Sequence, residues 1–347
     1  MNSGDSKEAA KIKAIEELQK HASVQDLAYF TKGLSSGDTG VLSHAISLVE
    51  SNVELHRQIA NDLMNWCMPR SGKSIRVGVT GVPGVGKSTY IEALGMHVIS
   101  LGYKVAVLTI DPSSPLSKGS ILGDKTRMTN LSMDPGAFIR PSPTSNVPGG
   151  VARSTRESIL LCEAAGFDVV IVETVGVGQS ETTVYEMTDF FLLLMLAGAG
   201  DQLQGIKRGI MEMADALLIT KADSGNERAA THARAEYLSA LHLFPPKDHG
   251  KATKVGLVSS VSKTGIVESW DNVLEHLDWM KKRGLFDQKR KAQLLTWMHE
   301  SIDNMLRHFF YGNPFRKDEL KKLESEVLEG KISPFDAAEK LMGNLLK

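Results

Sequence analysis

In the nine-residue stretch Gly81, Val82, Pro83, Gly84, Val85, Gly86, Lys87, Ser88 and Thr89, the first eight fit the pattern G-x-x-x-x-G-K-[ST]. Glycines at these spacings let the backbone approach an anion and turn its N–H groups inward, and a lysine adds a point charge. The run follows the apolar stretch Ile75 to Thr80 and precedes a helical pattern from Tyr90, so a helix N-terminus adds its dipole at the same place. This is a loop for the phosphates of a nucleoside triphosphate, with Lys87 reaching the β and γ oxygens and Ser88 ligating Mg²⁺. The bland alternative is a glycine-rich strand-to-helix turn that binds nothing.

Further along, Thr220, Lys221, Ala222 and Asp223 end another apolar run and vary the N-K-x-D signature that reads guanine. A carboxylate at Asp223 can accept from the ring N–H and the exocyclic amine on one edge of guanine, a pair that adenine lacks. The wrong base would leave a buried acceptor unpaired, at a cost of about 1–3 kcal/mol. Lys221 would lay its methylene stem along the ring, and Thr220, in place of asparagine, can make part of the same loop-bracing bonds. Ser259, Ser260 and Val261 resemble the last guanine-binding loop, whose backbone N–H groups meet the base oxygen.

A nucleotide hydrolase also needs groups to hold the metal and the attacking water. Asp111 and Glu173 end apolar runs, and strand-end carboxylates of a parallel sheet converge on such a loop, which makes both candidate ligands or water holders. Asp124, in a long polar segment, is either a third such acid or a solvated one. Glu173-Thr174-Val175-Gly176 resembles the D-x-x-G switch with Glu in place of Asp, so Gly176 would give an N–H to the γ-phosphate and the following loop would rearrange when that phosphate leaves. Gln179 either orients water or is a polar residue of that loop. Arg127, Arg140 and Arg153 are the candidate arginine fingers.

The elements that must position these groups are legible as short apolar runs between helical segments: Ile75–Thr80, Lys104–Asp111, Asp168–Thr174, Phe190–Ala197, Ala216–Asp223 and Lys254–Ser260. Near-continuous apolar strands alternating with helices predict an α/β fold, a doubly wound, mostly parallel sheet with function at the strands' carboxyl ends. Residues 112 to 150, rich in Ser, Pro, Gly and Asn, are expected to be a functional or mobile loop. Residues 7 to 70 carry helical periodicity, with Ser23 and Asp26 as a loose capping box, and Leu295, Met298, Ile302, Met305 and Phe309 form an apolar stripe at helical spacing. The expected divisions are an N-terminal helical extension (1–72), a P-loop GTPase domain (73–285) and a C-terminal helical arm (286–347).

A chain of 347 residues with 42% hydrophobic and 23% charged residues is an ordinary globular composition. A net charge of -1 gives no global field toward nucleic acid or anionic lipid. Cys67 and Cys162, the two cysteines, offer neither a disulfide framework nor CxxC spacing, which fits a reducing compartment. The apolar run from Phe190 is shorter than the ~20 residues of a membrane helix, and the N-terminal residues resemble no secretory signal, so a soluble protein is expected.

Taken together, Gly81–Thr89, the segments from Asp111 to Met128 and from Arg140 to Thr155, Ile171–Glu181 and Gly198–Asp215 resemble the MeaB/ArgK/methylmalonic aciduria type A family of SIMIBI-class P-loop GTPases, over about residues 35 to 345. The resemblance implies a GTP- and GDP-binding, Mg²⁺-dependent GTPase that acts as chaperone of adenosylcobalamin-dependent methylmalonyl-CoA mutase, gating cofactor loading and protecting or reactivating the mutase. It implies that Gln204 and Lys207 belong to an additional switch, where the residues alone would read as solvated helix charges. It also implies a homodimer through the C-terminal arm, although the apolar stripe could by area alone pack on its own domain. Mitochondrial members carry a transit peptide that this chain lacks, so the expected location is a bacterial cytoplasm, or a mitochondrial matrix for a trimmed form. A nickel-type metal-delivery GTPase is disfavoured by the scattered histidines, and a transport-system kinase by the want of a phosphoacceptor pathway.

Overall fold

The computed structural model describes residues 26–51, 53–110, 128–142, 150–174, 180–198, 208–247, 249–311 and 314–343. The chain divides into two compact units, residues 1–287 and 288–347.

In the first unit, seven strands form one sheet: β1 (Ile75–Gly81), β2 (Val105–Ile110), β3 (Ala137–Ser142), β4 (Val169–Thr174), β5 (Phe190–Leu196), β6 (Ala216–Thr220) and β7 (Lys254–Leu257). Their order is β3-β2-β4-β1-β5-β6-β7, and every pairing is parallel. Parallel pairing requires crossovers, and helices supply them: α4 (Lys87–Ser100), α5 (Thr129–Met133), α6 (Gly150–Ala164), α7 (Ser180–Met187), α8 (Arg208–Met213) and α9 (Glu227–Leu241); α10 (Ile266–Lys282) follows β7. Six runs were legible as strands, whereas the structure adds β3 inside the segment expected to be a loop. The run Ala137-Phe138-Ile139-Arg140-Pro141-Ser142 carries a proline and an arginine, which an edge position tolerates because the outward side of the strand needs no ladder partner.

Side-chain alternation divides the sheet into two faces. Val77, Val79, Val105, Val107, Val169, Ile171, Leu192 and Leu194 join Ile91 and Leu94 of α4 and Trp270, Val273 and Leu277 of α10 in one buried cluster. The intervening residues face the other way, and at Gly78 a methyl group would come within 2.8 Å of Val184 on α7 and 2.7 Å of Phe191. A glycine there lets α7 lie close on the sheet, directly behind the end of β4.

Ahead of the sheet come α1 (Leu27–Ser35), α2 (Thr39–Val49) and α3 (Glu54–Cys67). The capping expectation is corrected: Asp26 is itself the N-cap of α1, accepting from Tyr29 N at 2.9 Å, and Ser23 lies outside the described residues. A cap at Asp26 satisfies one of the first-turn N–H groups that have no partner inside the helix. All three helices pack on α6. Two polar anchors hold them: Arg140 of β3 reaches Glu50 at 2.8 Å together with Ser43 and Ser47, and Glu163 of α6 gathers the segment between α3 and β1. The Glu163 carboxylate accepts from Gly72 N (2.7 Å), Ser74 Oγ (2.5 Å), Arg76 Nε (2.8 Å) and Arg76 Nη2 (2.9 Å).

The second unit comprises most of α11 (Leu285–Tyr311), with α12 (Pro314–Leu328) and α13 (Pro334–Gly343). Leu323, Ala337 and Leu341 form its small core, with Phe310, Leu320, Val327 and Ile332 packed against it. A largely apolar cavity of about 920 Å³ lies between Leu306, Phe309, Tyr311, Leu323, Leu341 and Met342. Leu295, Met298, Ile302, Met305 and Phe309 are 45 to 61% exposed. Among the described residues no helix is long and apolar enough to cross a membrane.

Burial alone would raise the pKa of Glu163, but its bonds to Arg76, Ser74 and Gly72 outweigh it and hold the group below its ordinary value. A depressed carboxylate stabilises the fold above its unfolded pKa, and that contribution fades as pH falls from there through the folded value. Glu163→Gln is therefore expected to cost about 2–4 kcal/mol at pH 7, because Arg76 is left with a neutral partner. Denaturant unfolding at successively lower pH checks this: the gap between wild type and variant narrows below about pH 4.5, the ordinary value of the group.

Candidate functional site

The site lies where β1 ends between β4 and β5, beyond the carboxyl ends of the strands. β1 runs to Gly81 and α4 begins at Lys87, so the intervening turn is the whole phosphate loop. Gly81 has φ 154°, and a Cβ there would stand 2.5 Å from the Leu194 carbonyl of β5. No other residue can pass this close to the neighbouring strand in that conformation.

Lys87 is only 8% exposed. Its Nζ donates to Gly81 O at 2.7 Å and Val82 O at 3.2 Å, so the ammonium curls back over its own loop. Burial pushes its pKa down, while the charges of Glu173 and Glu181 push it up. Ser88 Oγ donates to Glu173 Oε1 at 3.3 Å. A hydroxyl and a carboxylate at the mouth of a phosphate loop are the hard oxygen donors that would hold Mg²⁺. Behind them, Thr174 Oγ1 donates to Thr80 Oγ1 at 2.8 Å, tying the ends of β4 and β1.

At the end of β6, Thr220 Oγ1 lies 2.7 Å from Val85 O and 3.2 Å from Met195 O, a brace from β6 to the phosphate loop and β5. Lys221, at φ 55°, donates from Nζ to Gly84 O at 3.0 Å, which lays its stem across the loop. Asn226 Nδ2 caps the Lys221 carbonyl at 2.9 Å. Asp223 Oδ2 accepts from the Ser259 hydroxyl, and Ser262 N donates to the same hydroxyl oxygen at 3.0 Å. The Ser259 amide is committed to Thr264 O at 2.9 Å, so this buried serine is held by its backbone on one side and bonded to Asp223 through its hydroxyl on the other. Ser260 is half-buried, and Val261 is 83% exposed at the tip of the loop.

The structure thus brings Lys87, Ser88 and Glu173 together, and separately Lys221, Asp223 and Ser259, on either side of the turn that Gly81 to Gly86 makes. Asp111, Asp124, Gly176, Gln179, Gln204 and Lys207 lie outside the described residues, as does Arg127. Arg140 is engaged by Glu50, Ser43 and Ser47, and Arg153 pairs with Glu157 at 2.8 Å one turn along α6. The Arg140 guanidinium ties β3 to α2, whereas the Arg153 pair lies within a single helix and leaves that side chain 39% exposed. Sequence reasoning missed Glu181, 1% exposed in the first turn of α7. Its signal was an acid just past the carboxyl end of a strand that already carried Glu173.

The profile of the family described as "Methylmalonyl Co-A mutase-associated GTPase MeaB" matches residues 42–314. The chain is 46% identical to "GTPase ArgK" of Escherichia coli over 83% of this chain and 88% of that one. It is 44% identical to the mitochondrial methylmalonic aciduria type A homolog of Mus musculus, over 89% of this chain and 77% of that one. A crystal structure titled "LAO/AO transport system kinase" superposes with a TM-score of 0.72 at 35% identity, covering 92% of this chain and 98% of that one.

Lys87→Ala removes the one ammonium inside the loop without touching the sheet. Equilibrium dialysis with labelled GTP is expected to show nucleotide retention abolished, beside an unchanged circular dichroism spectrum; normal retention by the variant would remove Lys87 from the site.

Proposed function

The chain belongs to the MeaB family of methylmalonyl-CoA mutase-associated GTPases and is a GTPase, and on that premise we propose that it is a Mg²⁺-dependent timer that gates cofactor loading of an adenosylcobalamin-dependent mutase and protects or reactivates it. The observation that carries this reading is the family match over residues 42–314, joined to a phosphate loop whose lysine, serine and strand-end acid stand together.

In this reading the backbone N–H groups of Gly84 to Ser88 and the start of α4 meet the β- and γ-phosphates, and Lys87 leaves the Gly81 and Val82 carbonyls to join them. Ser88 and Glu173 hold Mg²⁺, with Asp111 and Asp124 completing its surroundings; the ion supplies charge neutralisation at the phosphates. Asp223 accepts from the two donors of the guanine edge while the Ser259 hydroxyl fixes its orientation, and the amides of Ser260 and Val261 face the base oxygen. Lys221 lies along the ring. Gly176 donates to the γ-phosphate and Gln179 orients the attacking water, so that loss of phosphate releases their segment. Gln204 and Lys207 carry that change to the mutase. The half-exposed stripe on α11, with the apolar cavity beside it, supports pairing of two chains through the C-terminal arm.

Two measurements test this. GTP turnover is expected to rise when methylmalonyl-CoA mutase is added, and a rate indifferent to the mutase would sink the client assignment. Met298→Glu combined with Met305→Glu places two charges on the stripe and is expected to give a monomer by light scattering; an intact dimer would move the interface elsewhere.

A further inference from the structure

Tyr90 lies on α4, one turn past Lys87, and is 1% exposed. A tyrosine in an apolar core needs a partner for its hydroxyl, and this one donates to Ser269 Oγ at 2.9 Å. Ser269 sits in the first turns of α10, the helix that follows the guanine-side loop; its hydroxyl passes the bond on to Ile266 O at 2.8 Å. Both ends of this chain reach the nucleotide site. The Tyr90 amide donates to Gly86 O at 2.9 Å, closing the first turn of the helix at the phosphate loop. The Ser269 amide donates to Gly265 O at 3.0 Å, and the loop just before it is fastened by Ser259 N to Thr264 O at 2.9 Å, with Ser259 in turn on Asp223.

Gly265 makes that attachment stiff. It adopts φ 78°, and a Cβ there would stand 2.1 Å from Leu257 O, so the loop enters α10 by a turn that only glycine can make. The loop holding Asp223 therefore moves with the first turn of α10, and the first turn of α10 is hydrogen-bonded to α4.

Resting on the nucleotide-site reading, we propose that Tyr90 is a positioning residue for the base: through Ser269 it fixes the guanine-side loop, and hence Asp223, at a set distance from the phosphate loop. Neither residue touches the ligand. The phosphate side rests on α4 and its sheet contacts and does not need the bond; the base side depends on it.

The test is calorimetric titration of the full-length protein with GDP and with inorganic pyrophosphate, for wild type, Tyr90→Phe, Ser269→Ala and the double variant. Tyr90→Phe keeps the ring in the core and removes only the hydroxyl. The worth of one ordinary hydrogen bond sets the expected loss of GDP affinity at about 3- to 10-fold in each single variant. The double variant should lose no more than either single, since one linkage is being broken twice. Pyrophosphate affinity should stay within about twofold of wild type, because α4 keeps its other contacts. A merely structural bond would lower the melting temperature and leave GDP affinity unchanged, or lower GDP and pyrophosphate affinity by one common factor; either result overturns the proposal. A wild-type protein that binds neither probe would overturn the nucleotide-site reading instead.

Discussion

The buried ammonium of Lys87 is what the rest of this structure is arranged around. An isolated cation inside a protein costs several kcal/mol, a large share of a domain's net stability, unless it is surrounded by acceptors and opposite charge. Here the Gly81 and Val82 carbonyls accept from it directly, and the carboxylates of Glu173 and Glu181 offset part of the burial, which still holds its pKa below the ordinary value. Those partners come from β1, from the end of β4 and from the start of α7, so the ammonium sits at the junction of three separate segments. Gly81 must pass within hard contact of Leu194 to aim its carbonyl, which makes one glycine a condition of the whole arrangement.

Sheet order explains why those segments meet. β1 lies between β4 and β5, and from it the strand order departs in both directions, toward β2 and β3 on one side and toward β6 and β7 on the other. At such a reversal the connections leave in opposite directions and open a crevice above the strand ends. The parallel register then sets Glu173 of β4 beside both Val79 of β1 and Thr109 of β2, and sets Gly81 beside Leu194. β6 stands one strand farther out, and its terminal Thr220 and the following Lys221 span back to Val85 and Gly84, so the Thr220–Asp223 tetrapeptide is tied to the phosphate loop by a hydroxyl and an ammonium.

Much of this was legible in the residues, and the exceptions have physical reasons. The phosphate loop was readable because its pattern is local: the spacing of glycine, lysine and serine along a few residues fixes what they can touch. The expected strands showed as β-branched and leucine runs because central parallel strands are buried on both faces. β3 escaped because an edge strand need not be apolar throughout, and Pro141 and Arg140 disguised it as loop. Arg140 was open to a catalytic reading because an arginine near phosphate-binding motifs looks like one, whereas its partners Glu50, Ser43 and Ser47 lie some ninety positions earlier in the chain. The Tyr90–Ser269 bond was invisible for the same reason: its meaning depends on which distant residue packs beside it, and spacing carries no record of that.

The polar contacts around the loop imply that phosphate binding is an exchange of partners. Lys87 already has two carbonyl acceptors, and Lys221 already donates to Gly84 O. Those bonds are already charge-assisted on the donor side, so a phosphate oxygen gains only the difference between an ammonium–phosphate contact and the ammonium–carbonyl one it displaces. The displaced carbonyls of Gly81 and Val82 point back into the loop, so the ammonium can return to them when phosphate leaves. A lysine with a favourable place in both states releases product more readily than one left bare in a dry pocket would.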